Sequence, residues 1–443
     1  MVFASAPPDY SVIELLGPPD NDLTSENKKE DYNGERQMKK ENTDRSVIKL
    51  DTKRSVTRAF ETIVIKNEVL VTASVSCPDD YVIENGKLIE YRGLGGDVVI
   101  PENVTSIGDS VFEWWISLTS IALPKNVTSI GVGAFHGCKD LTSINLPEGV
   151  TSIGHSAFRG CEGLADSDGF VIVGGQLFDY YGPDGDVVVP NGVTSVGKEA
   201  FQYCSSLTSI NLPKSVTSIG DWAFQDCTSL TSITLPDGVT SIEDGTFYHC
   251  KSLMGITLPD SVTKIGNGAF YNCENLTSIT LPYGVTSIGN NAFSGCESLT
   301  SIDLPESVAS IGCGAFSSCR SLTSIVLPKG LTRIENYTFF FGMLTSLTLP
   351  ESLTSIGEEA FAHCDFSDVT IPEGLTSIGE RAFYLCFGLT SITFPSSLTR
   401  IGKEAFFGCN LESICLPQGK DRDWLKEIDP TGELANIYDR ISH

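Results

Sequence analysis

One proline recurs along most of this 443-residue chain at an almost fixed interval. The prolines are Pro101, Pro124, Pro147, Pro190, Pro213, Pro236, Pro259, Pro282, Pro305, Pro328, Pro350, Pro372, Pro395 and Pro417. Nine of the 13 intervals are 23 residues long, three are 22 and one is 43. A fixed period in this range is typical of solenoids, in which each coil packs on its neighbours.

Counted from the proline as position 1, the unit reads PxxVTSIGxxAFxxCxxLTSIxL. Its last six residues have the spacing of a leucine-rich repeat strand, which points Ile and Leu into the coil. Proline ends the strand because it has no amide hydrogen for the ladder. Positions 4 and 7, Val262 and Ile265 in one coil, are expected to turn back into the core. The unit predicts a leucine-rich repeat solenoid with a parallel concave sheet and short helical or 3-10 turns on the outer wall.

Two further positions are nearly invariant. Position 12 is Phe in all 13 units, which predicts a row of rings stacked from coil to coil. Position 8 is Gly in eleven units, and Glu243 and Glu335 are the exceptions. We expect this glycine, Gly266 for example, to supply a backbone conformation that side chains resist.

The 43-residue interval contains a second kind of repeat. Residues 81–101 align without gaps to residues 170–190, with 11 of 21 positions identical. Each copy has a two-residue turn signal, Asn85-Gly86 or Gly174-Gly175, between alternating apolar runs. This pattern predicts a β-hairpin with a primed turn. We therefore expect two inserted hairpins, one opening the array and one near residues 167–186.

The two ends differ from the repeats. Residues 1–60 are predicted to be a disordered charged tail, since much of this segment is rich in Lys, Glu, Asp and Asn. Residues 61–100 are expected to form N-terminal cap strands and the first hairpin. The solenoid then spans 101–417. Residues 418–443 are predicted to form a C-terminal helical cap over the last coil.

The repeat sequence closely resembles that of the BspA-like leucine-rich repeat family, also called the Treponema pallidum type. The resemblance covers about residues 78–417 and includes Ile-Gly, Ala-Phe and Cys in register. It implies a role in adhesion or recognition, because family members are mostly bacterial or protist surface proteins. The sequence shows no signal peptide or membrane anchor, which favours the cytoplasm, whereas the family is often at the cell surface.

The charge excludes several classes of partner. The chain has 56 acidic and 30 basic residues and a net charge of −26 at pH 7. Such a surface repels phosphate backbones and anionic lipids, so no nucleic-acid partner is expected. No run of 18 apolar residues is present, so we expect no membrane insertion. We expect a monomer with a protein partner.

Cysteine is the strongest possible signal for chemistry. Eleven of the 14 cysteines occupy position 15 of the repeat. The alternatives are a disulfide or metal ladder and a row of buried free thiols. We favour free thiols, since equivalent side chains on stacked coils point in parallel, which is poor disulfide geometry.

Other motifs for catalysis are absent from the sequence. We find no HExxH, GxSxG, P-loop or GxGxxG pattern. His136 and His155 lie in adjacent coils, which leaves a metal-dependent enzyme as a minor alternative. Our expectation is no catalytic residue, no cofactor and no metal.

Binding is expected on one of two walls of the solenoid. Positions 19, 20 and 22 form Thr-Ser rows on the strand face, and these rows are interrupted at Met254, Gly255 and Asp303. On the other wall, positions 13 and 14 carry aromatic residues and histidine at Tyr248, His249 and Tyr271. The sequence favours a non-enzymatic protein-protein interaction scaffold or an adhesin-like recognition protein. Binding of a surface lattice or a glycan by the Thr-Ser rows is the alternative.

Overall fold

The computed structural model describes residues 78–429 and 431–441, so the predictions for residues 1–60 and for strands within 61–77 lie outside the described residues. From Pro101 onward, each repeat unit forms one coil that stacks on the next. Positions 4, 7, 12, 18 and 21 of the unit point inward and are buried. The coils therefore share a core that is continued from one unit to the next.

The predicted parallel sheet is present and we call it the long-strand sheet. Between most coils its strands pair without offset, so that Ser278 pairs with Ser301 and Thr280 with Asp303. The strands that begin at Gly96 and Gly185 each have a register shift against the next strand. The sheet is divided into three parts, over residues 96–145, 185–303 and 368–415. The strands are Gly96–Val99, Leu118–Ala122, Ser143–Asn145, Gly185–Val188, Leu207–Asn211, Ser232–Thr234, Gly255–Thr257, Ser278–Thr280, Ser301–Asp303, Asp368–Thr370, Ser391–Thr393 and Ser413–Cys415.

A second parallel sheet runs along the return path of the coils. Positions 6 and 7 form a two-residue strand in each coil, and we call this array the short-strand sheet. Its strands are Ser106–Ile107, Ser129–Ile130, Ser152–Ile153, Ser195–Val196, Ser218–Ile219, Ser241–Ile242, Lys264–Ile265, Ser287–Ile288, Ser310–Ile311, Arg333–Ile334, Ser355–Ile356, Ser377–Ile378 and Arg400–Ile401. The buried positions here could be predicted from the sequence, and the strands could not.

The outer wall is made of hydrogen-bonded turns that also bond to the next coil. In the coil that begins at Pro236, the amides of Phe247 and His249 donate to the carbonyls of Ala269 and Tyr271, both at 2.8 Å. Positions 10 and 14 have a positive φ, between 49° and 79°, in every described coil. Most of these residues are not glycine, although the left-handed region disfavours side chains. The bonds between coils hold them there.

The predicted row of Phe rings is confirmed. Rings from adjacent coils stack with centroids 5.1–5.7 Å apart and planes within 16° of parallel. Phe270 is fully buried and stacks on Phe247 and Phe293. We call this array the phenylalanine row.

The expected reason for glycine at position 8 is wrong. Gly266 does not have a positive φ; instead, a Cβ there would lie 2.6 Å from the backbone nitrogen of Asp244 in the preceding coil. Gly289 faces the same kind of close backbone approach, at 2.5 Å. The two coils with Glu at position 8 carry Thr246 and Thr338 at position 11, whose hydroxyls donate to the Glu carbonyls at 2.8 Å. The close spacing of the coils, and not backbone conformation, requires glycine.

Two hairpins have the same strand pairing. The first opens the array of coils, and the second interrupts it. The first consists of strands Tyr81–Glu84 and Lys87–Tyr91, and the second of Phe170–Val173 and Gln176–Tyr180. The second hairpin divides the buried core into two clusters. It also interrupts the phenylalanine row, with one aromatic side chain packed on each side of the break.

Two helices follow the last coil, α1 (Arg422–Ile428) and α2 (Glu433–Ile441). The Asp421 carboxylate caps α1 by accepting from two backbone amides of its first turn. Trp424, Leu425 and Leu434 are buried against the core of the solenoid. The described residues also include two 3-10 helices, Pro78–Asp80 and Glu162–Leu164.

The phenylalanine row allows a matched test of core and wall positions. Phe270→Ala removes a fully buried ring and leaves a cavity, so it should cost about 3–5 kcal/mol of unfolding free energy. Tyr271→Ala changes the adjacent half-buried residue and should cost far less. Denaturant unfolding of both variants measures the difference. Equal destabilisation by the two substitutions would contradict the assignment of position 12 to the core.

Candidate functional site

Tyr248, His249 and Tyr271 come together on the outer wall. The rings of Tyr248 and Tyr271 stack with centroids 4.7 Å apart and planes 10° from parallel. Trp222 packs edge-on against Tyr248 at 5.3 Å, and His249 lies 4.2 Å from the Tyr248 ring. We call Tyr248 and Tyr271 the tyrosine pair. The pair is half-buried and is supported on one side by Trp222.

A chain of hydrogen bonds holds His249 beside the tyrosine pair. Its Nδ1 lies 3.0 Å from Asp226 Oδ1, and its Nε2 lies 3.2 Å from the side-chain nitrogen Nδ2 of Asn272. In the tautomer with the ring proton on Nδ1, Nδ1 donates a hydrogen bond to Asp226 and Nε2 accepts one from Asn272. Both ring nitrogens are therefore engaged in hydrogen bonds within the wall.

The same series of hydrogen bonds continues toward the second hairpin. Gln225 donates to Asp226 at 3.1 Å and accepts from Gln202 at 2.6 Å. Gln202 in turn accepts from Arg159, which also forms an ion pair with Glu199. These side chains come from consecutive coils and from the coil before the hairpin. This series of hydrogen bonds thus fixes the side chains of positions 13 and 14 along the outer wall.

Beyond the tyrosine pair, the row of aromatic side chains on the outer wall has a gap, in which Ser294 and Gly295 are buried and Ser317 and Ser318 are half-buried. The residues at positions 13 and 14 of the next two coils are Ser294, Gly295, Ser317 and Ser318. Aromatic side chains return at Phe340 and Phe341, and Phe341 stacks on His363 at 4.0 Å. Three coil spacings of about 4.8 Å separate Tyr271 from Phe340, or about 14 Å. We call this gap the outer-wall notch.

The hydroxyl rows of the strand face take part in bonding between coils. Thr231 Oγ1 donates to the carbonyl of Thr208, and Thr277 Oγ1 to that of Met254, both at 3.2 Å. A second row at position 5 repeats this pattern; Thr263 Oγ1, for example, donates to the carbonyl of Thr240 at 3.3 Å. The threonine hydroxyl protons of positions 5 and 19 are therefore used inside the molecule.

The structure places Met254, Gly255 and Asp303 on the strand face without forming a compact site. Met254 is 57% exposed, and Asp303 lies two strands away in a different row. Gly255 replaces the serine found at this position in neighbouring coils, and no atom lies within 4 Å of where its Cβ would be. The result is a shallow depression of about 330 Å³ between strands Ser232–Thr234 and Ser278–Thr280.

Met254 interrupts one threonine row, which gives a direct test of that row. Met254→Thr should raise the unfolding free energy by about 0.5–1 kcal/mol, because the new hydroxyl can donate to the Thr231 carbonyl. Met254→Val is the matched control, since it has the same branched shape without the hydroxyl. Denaturant unfolding compares the two variants. A valine variant as stable as the threonine variant would show that the hydroxyl contributes nothing.

The cysteines of position 15 are free thiols with a structural role. In ten coils the Sγ donates to the carbonyl of the phenylalanine in the preceding coil, at 3.0–3.4 Å. Burial raises the pKa of Cys138 and Cys319 to about 12 and raises the pKa of Cys250 well above its usual value. These thiols bond within the core and are poor nucleophiles. All cysteines within the described residues are free.

Thiol labelling should separate the buried row from the exposed cysteines. In a brief pulse of N-ethylmaleimide on the folded protein, Cys415 should react first, because it is exposed, followed by the half-buried Cys313. Buried thiols such as Cys273 should react only when the protein is denatured. Peptide mass spectrometry measures each site. Labelling of Cys273 as fast as Cys415 in the folded protein would contradict the buried row.

The structure does not bring His136 and His155 together as a metal site. His136 Nδ1 lies 3.5 Å from Glu113, and its ring packs on Trp114 at 4.8 Å. His155 is exposed and lies at position 9, four positions earlier in the unit than His136. Within residues 78–429 and 431–441, no group of three His, Cys, Asp or Glu residues could hold a metal ion.

Sequence reasoning missed the residues that support the tyrosine pair. Trp222, Asp226 and Asn272 contact the predicted residues and were not predicted themselves. A signal was present, because Asp226, His249 and Asn272 occupy position 14 in three consecutive coils. Residues at one position of adjacent coils stack, and this row of polar side chains is therefore able to bond along the wall.

Stacked coils with two parallel sheets define a leucine-rich repeat solenoid. The family model for the BspA type leucine rich repeat region matches in six copies, over residues 96–168, 172–270, 240–366 and 354–422. The chain belongs to the BspA-type leucine-rich repeat family. Comparison with curated proteins gives no match.

Solved structures of leucine-rich repeat proteins resemble this chain. One, from Bacteroides ovatus, is 30% identical over 75% of this chain and 91% of its own, with a TM-score of 0.50. A leucine rich cell surface protein from Faecalibacterium prausnitzii is 28% identical over 80% and 94%, with a TM-score of 0.34. A T. pallidum leucine-rich repeat protein is 29% identical over 51% and 90%, with a TM-score of 0.28.

Neither α1 nor α2 reaches the length or apolar character needed to cross a bilayer, and no other helix in the described part of the chain does.

Proposed function

We propose that the protein is a non-enzymatic interaction scaffold that binds a protein partner at the outer-wall notch between Tyr271 and Phe340. The observation that carries this proposal is the pairing of rigid aromatic side chains with an adjoining gap. One face of the Tyr271 ring is stacked on Tyr248, so its other face is directed toward the coil of Ser294. A partner side chain placed there meets an aromatic surface that is already held in position.

The size of the notch suits a secondary-structure element of a partner. About 14 Å lies between its aromatic ends, and an α-helix with side chains is about 10–12 Å across. Within the notch, the half-buried Ser317 and Ser318 are small side chains that a partner backbone can approach. Preorganised aromatic residues at a binding site cost little conformational entropy on association, which favours affinity.

Charge indicates the chemistry of the partner. With a net charge of −26, the chain attracts a basic protein surface and repels acidic ones. A lysine or arginine of such a partner would also gain a cation–π contact with the open face of Tyr271. We therefore propose a partner with a basic helix or loop.

The strand face is the weaker candidate. Its rows of threonine and serine repeat one chemistry, and the threonine hydroxyls of position 19 are engaged in bonds between coils. Gly255 opens only a shallow depression, and Met254 and Asp303 lie in different rows. A protein interface needs a few desolvated anchor residues, which the outer wall supplies and this face does not.

A gain of bulk in the notch tests the proposal without removing any contact. The partner is first captured on the full-length protein from the source cells and identified by cross-linking mass spectrometry. Ser294→Tyr with Ser317→Tyr should then weaken its binding by about tenfold or more, because the new rings fill the gap. Position 13 carries tyrosine in other coils, so the melting temperature should be unchanged or raised. Calorimetric titration measures the affinity.

The strand face provides the matched control. Met254→Thr with Asp303→Thr restores the repeat consensus on that face and should leave the affinity for the same partner unchanged. Tyr271→Ser should weaken binding, because it removes the aromatic end of the notch. Normal binding by the notch-filling variant, together with loss of binding by the strand-face variant, would place the site on the other wall.

A further inference from the structure

The short-strand sheet is interrupted at the two coils that carry glutamate at position 8. Within the described residues, Ser241–Ile242 is not paired with Ser218–Ile219 of the preceding coil, and Arg333–Ile334 is not paired with Ser310–Ile311. In the coils with glycine, the position-8 amide bonds to the preceding coil, as Gly312 does at 2.9 Å. A Cβ at Gly312 would lie 2.5 Å from a backbone nitrogen of that coil. Glutamate therefore does not fit at this spacing, and the return path separates.

Two junctions between coils are set apart in this way. The first glutamate junction lies between the coils that begin at Pro213 and Pro236, and the second lies between those that begin at Pro305 and Pro328. Both junctions keep the hydrogen bonds of the outer wall. At the second junction, for example, the amide of Ser318 donates to a carbonyl of the next coil at 2.7 Å. The outer wall is thus continuous where the return path is not.

The strand face distinguishes the two junctions. At the first junction, strands Ser232–Thr234 and Gly255–Thr257 pair in register. At the second junction, the long-strand sheet is missing, since it has no strand over the described residues 304–367. One backbone hydrogen bond joins the two coils on this side in the described structure, from the amide of Thr345 to the carbonyl of Thr323 at 2.9 Å. The second junction is therefore held mainly by its outer wall.

The interior of the second junction is also more weakly connected. Position 15 of its second coil is Gly342, which has no thiol to bond to the phenylalanine carbonyl of the preceding coil. The rings of Phe316 and Phe339 lie 5.7 Å apart, which is the widest spacing of the phenylalanine row. At the first junction, by contrast, the thiol of Cys250 donates to the carbonyl of Phe224 at 3.1 Å.

We propose that the solenoid has a hinge at the second glutamate junction, where the strand face and the return path open while the outer wall stays closed. Stacked coils are stabilised by the interfaces with their neighbours, so an interface with few bonds opens at the lowest free energy. The outer wall is the axis of this motion, because its hydrogen bonds are the ones retained. Rotation about this axis separates the strand face most and changes the spacing of the outer-wall notch least.

Native thiols test the hinge without any substitution. Cys319 lies in the coil before the second junction and Cys227 in the coil before the first, and both are fully buried. During prolonged exposure of the folded protein to N-ethylmaleimide, Cys319 should be alkylated about tenfold or more faster than Cys227, because opening of the hinge gives the reagent access. Peptide mass spectrometry measures both rates. Equal rates would overturn the proposal.

Hydrogen exchange distinguishes a hinge from unfolding of a whole coil. The amides of Thr345 and Ser318 bond across the same junction, the first on the strand face and the second on the outer wall. Thr345 should exchange about tenfold or more faster than Thr277, which makes the equivalent bond where the sheet is intact. Ser318 should exchange as slowly as Asn272, its equivalent in an earlier coil. Exchange of Ser318 as fast as that of Thr345 would contradict a closed outer wall.

Restoring the consensus residues should hold the hinge closed. Glu335→Gly with Thr338→Ala allows the position-8 amide to bond to the preceding coil and should slow alkylation of Cys319 about fivefold or more. Glu243→Gly with Thr246→Ala makes the same change at the first junction and should leave alkylation of Cys319 unchanged. Unchanged alkylation in the first variant, or equal slowing in both, would count against a hinge at the second junction.

Discussion

Backbone hydrogen bonding between coils is the interaction on which this structure depends. Each coil is too small to bury its own apolar side or to satisfy its own amides, so it takes both from its neighbours. All three sides take part: two parallel sheets and the turns of the outer wall. Glycine at position 8 and the thiol at position 15 follow from the same requirement. The first permits close approach of the coils, and the second bonds to a carbonyl of the preceding coil.

The sequence specifies the core of this fold clearly. Residues such as Val262, Ile265 and Phe270 recur with the period of the coil, so their burial could be predicted from spacing alone. The short-strand sheet could not, because two residues give no alternation by which a strand is recognised. The left-handed residues of the outer wall were also missed. Trp114 and Leu385 adopt this conformation although their side chains disfavour it, and only contacts between coils explain that.

The candidate site could likewise be predicted only in part from the sequence. Aromatic residues at variable positions could be recognised in the sequence, and Tyr248, His249 and Tyr271 do lie together. Their support by Asp226 and Asn272 depends on the stacking of one position over coils, which requires the register in three dimensions. The notch is defined by what its coils lack, and small residues give no signal when a single unit is read alone. The proposed site therefore lies where the sequence departs from the repeat.

The paired hairpins bear on how a chain of this kind changes length in evolution. Each hairpin bonds to the coil that follows it as an ordinary coil would, through the same short strand. In its pairing with the next coil, a hairpin at the start of a block is thus equivalent to an ordinary coil. Recombination between the two hairpin-coding segments, which are 89 residues apart, would add or delete a whole block of coils. The length of the solenoid would then change while the tyrosine pair stays intact.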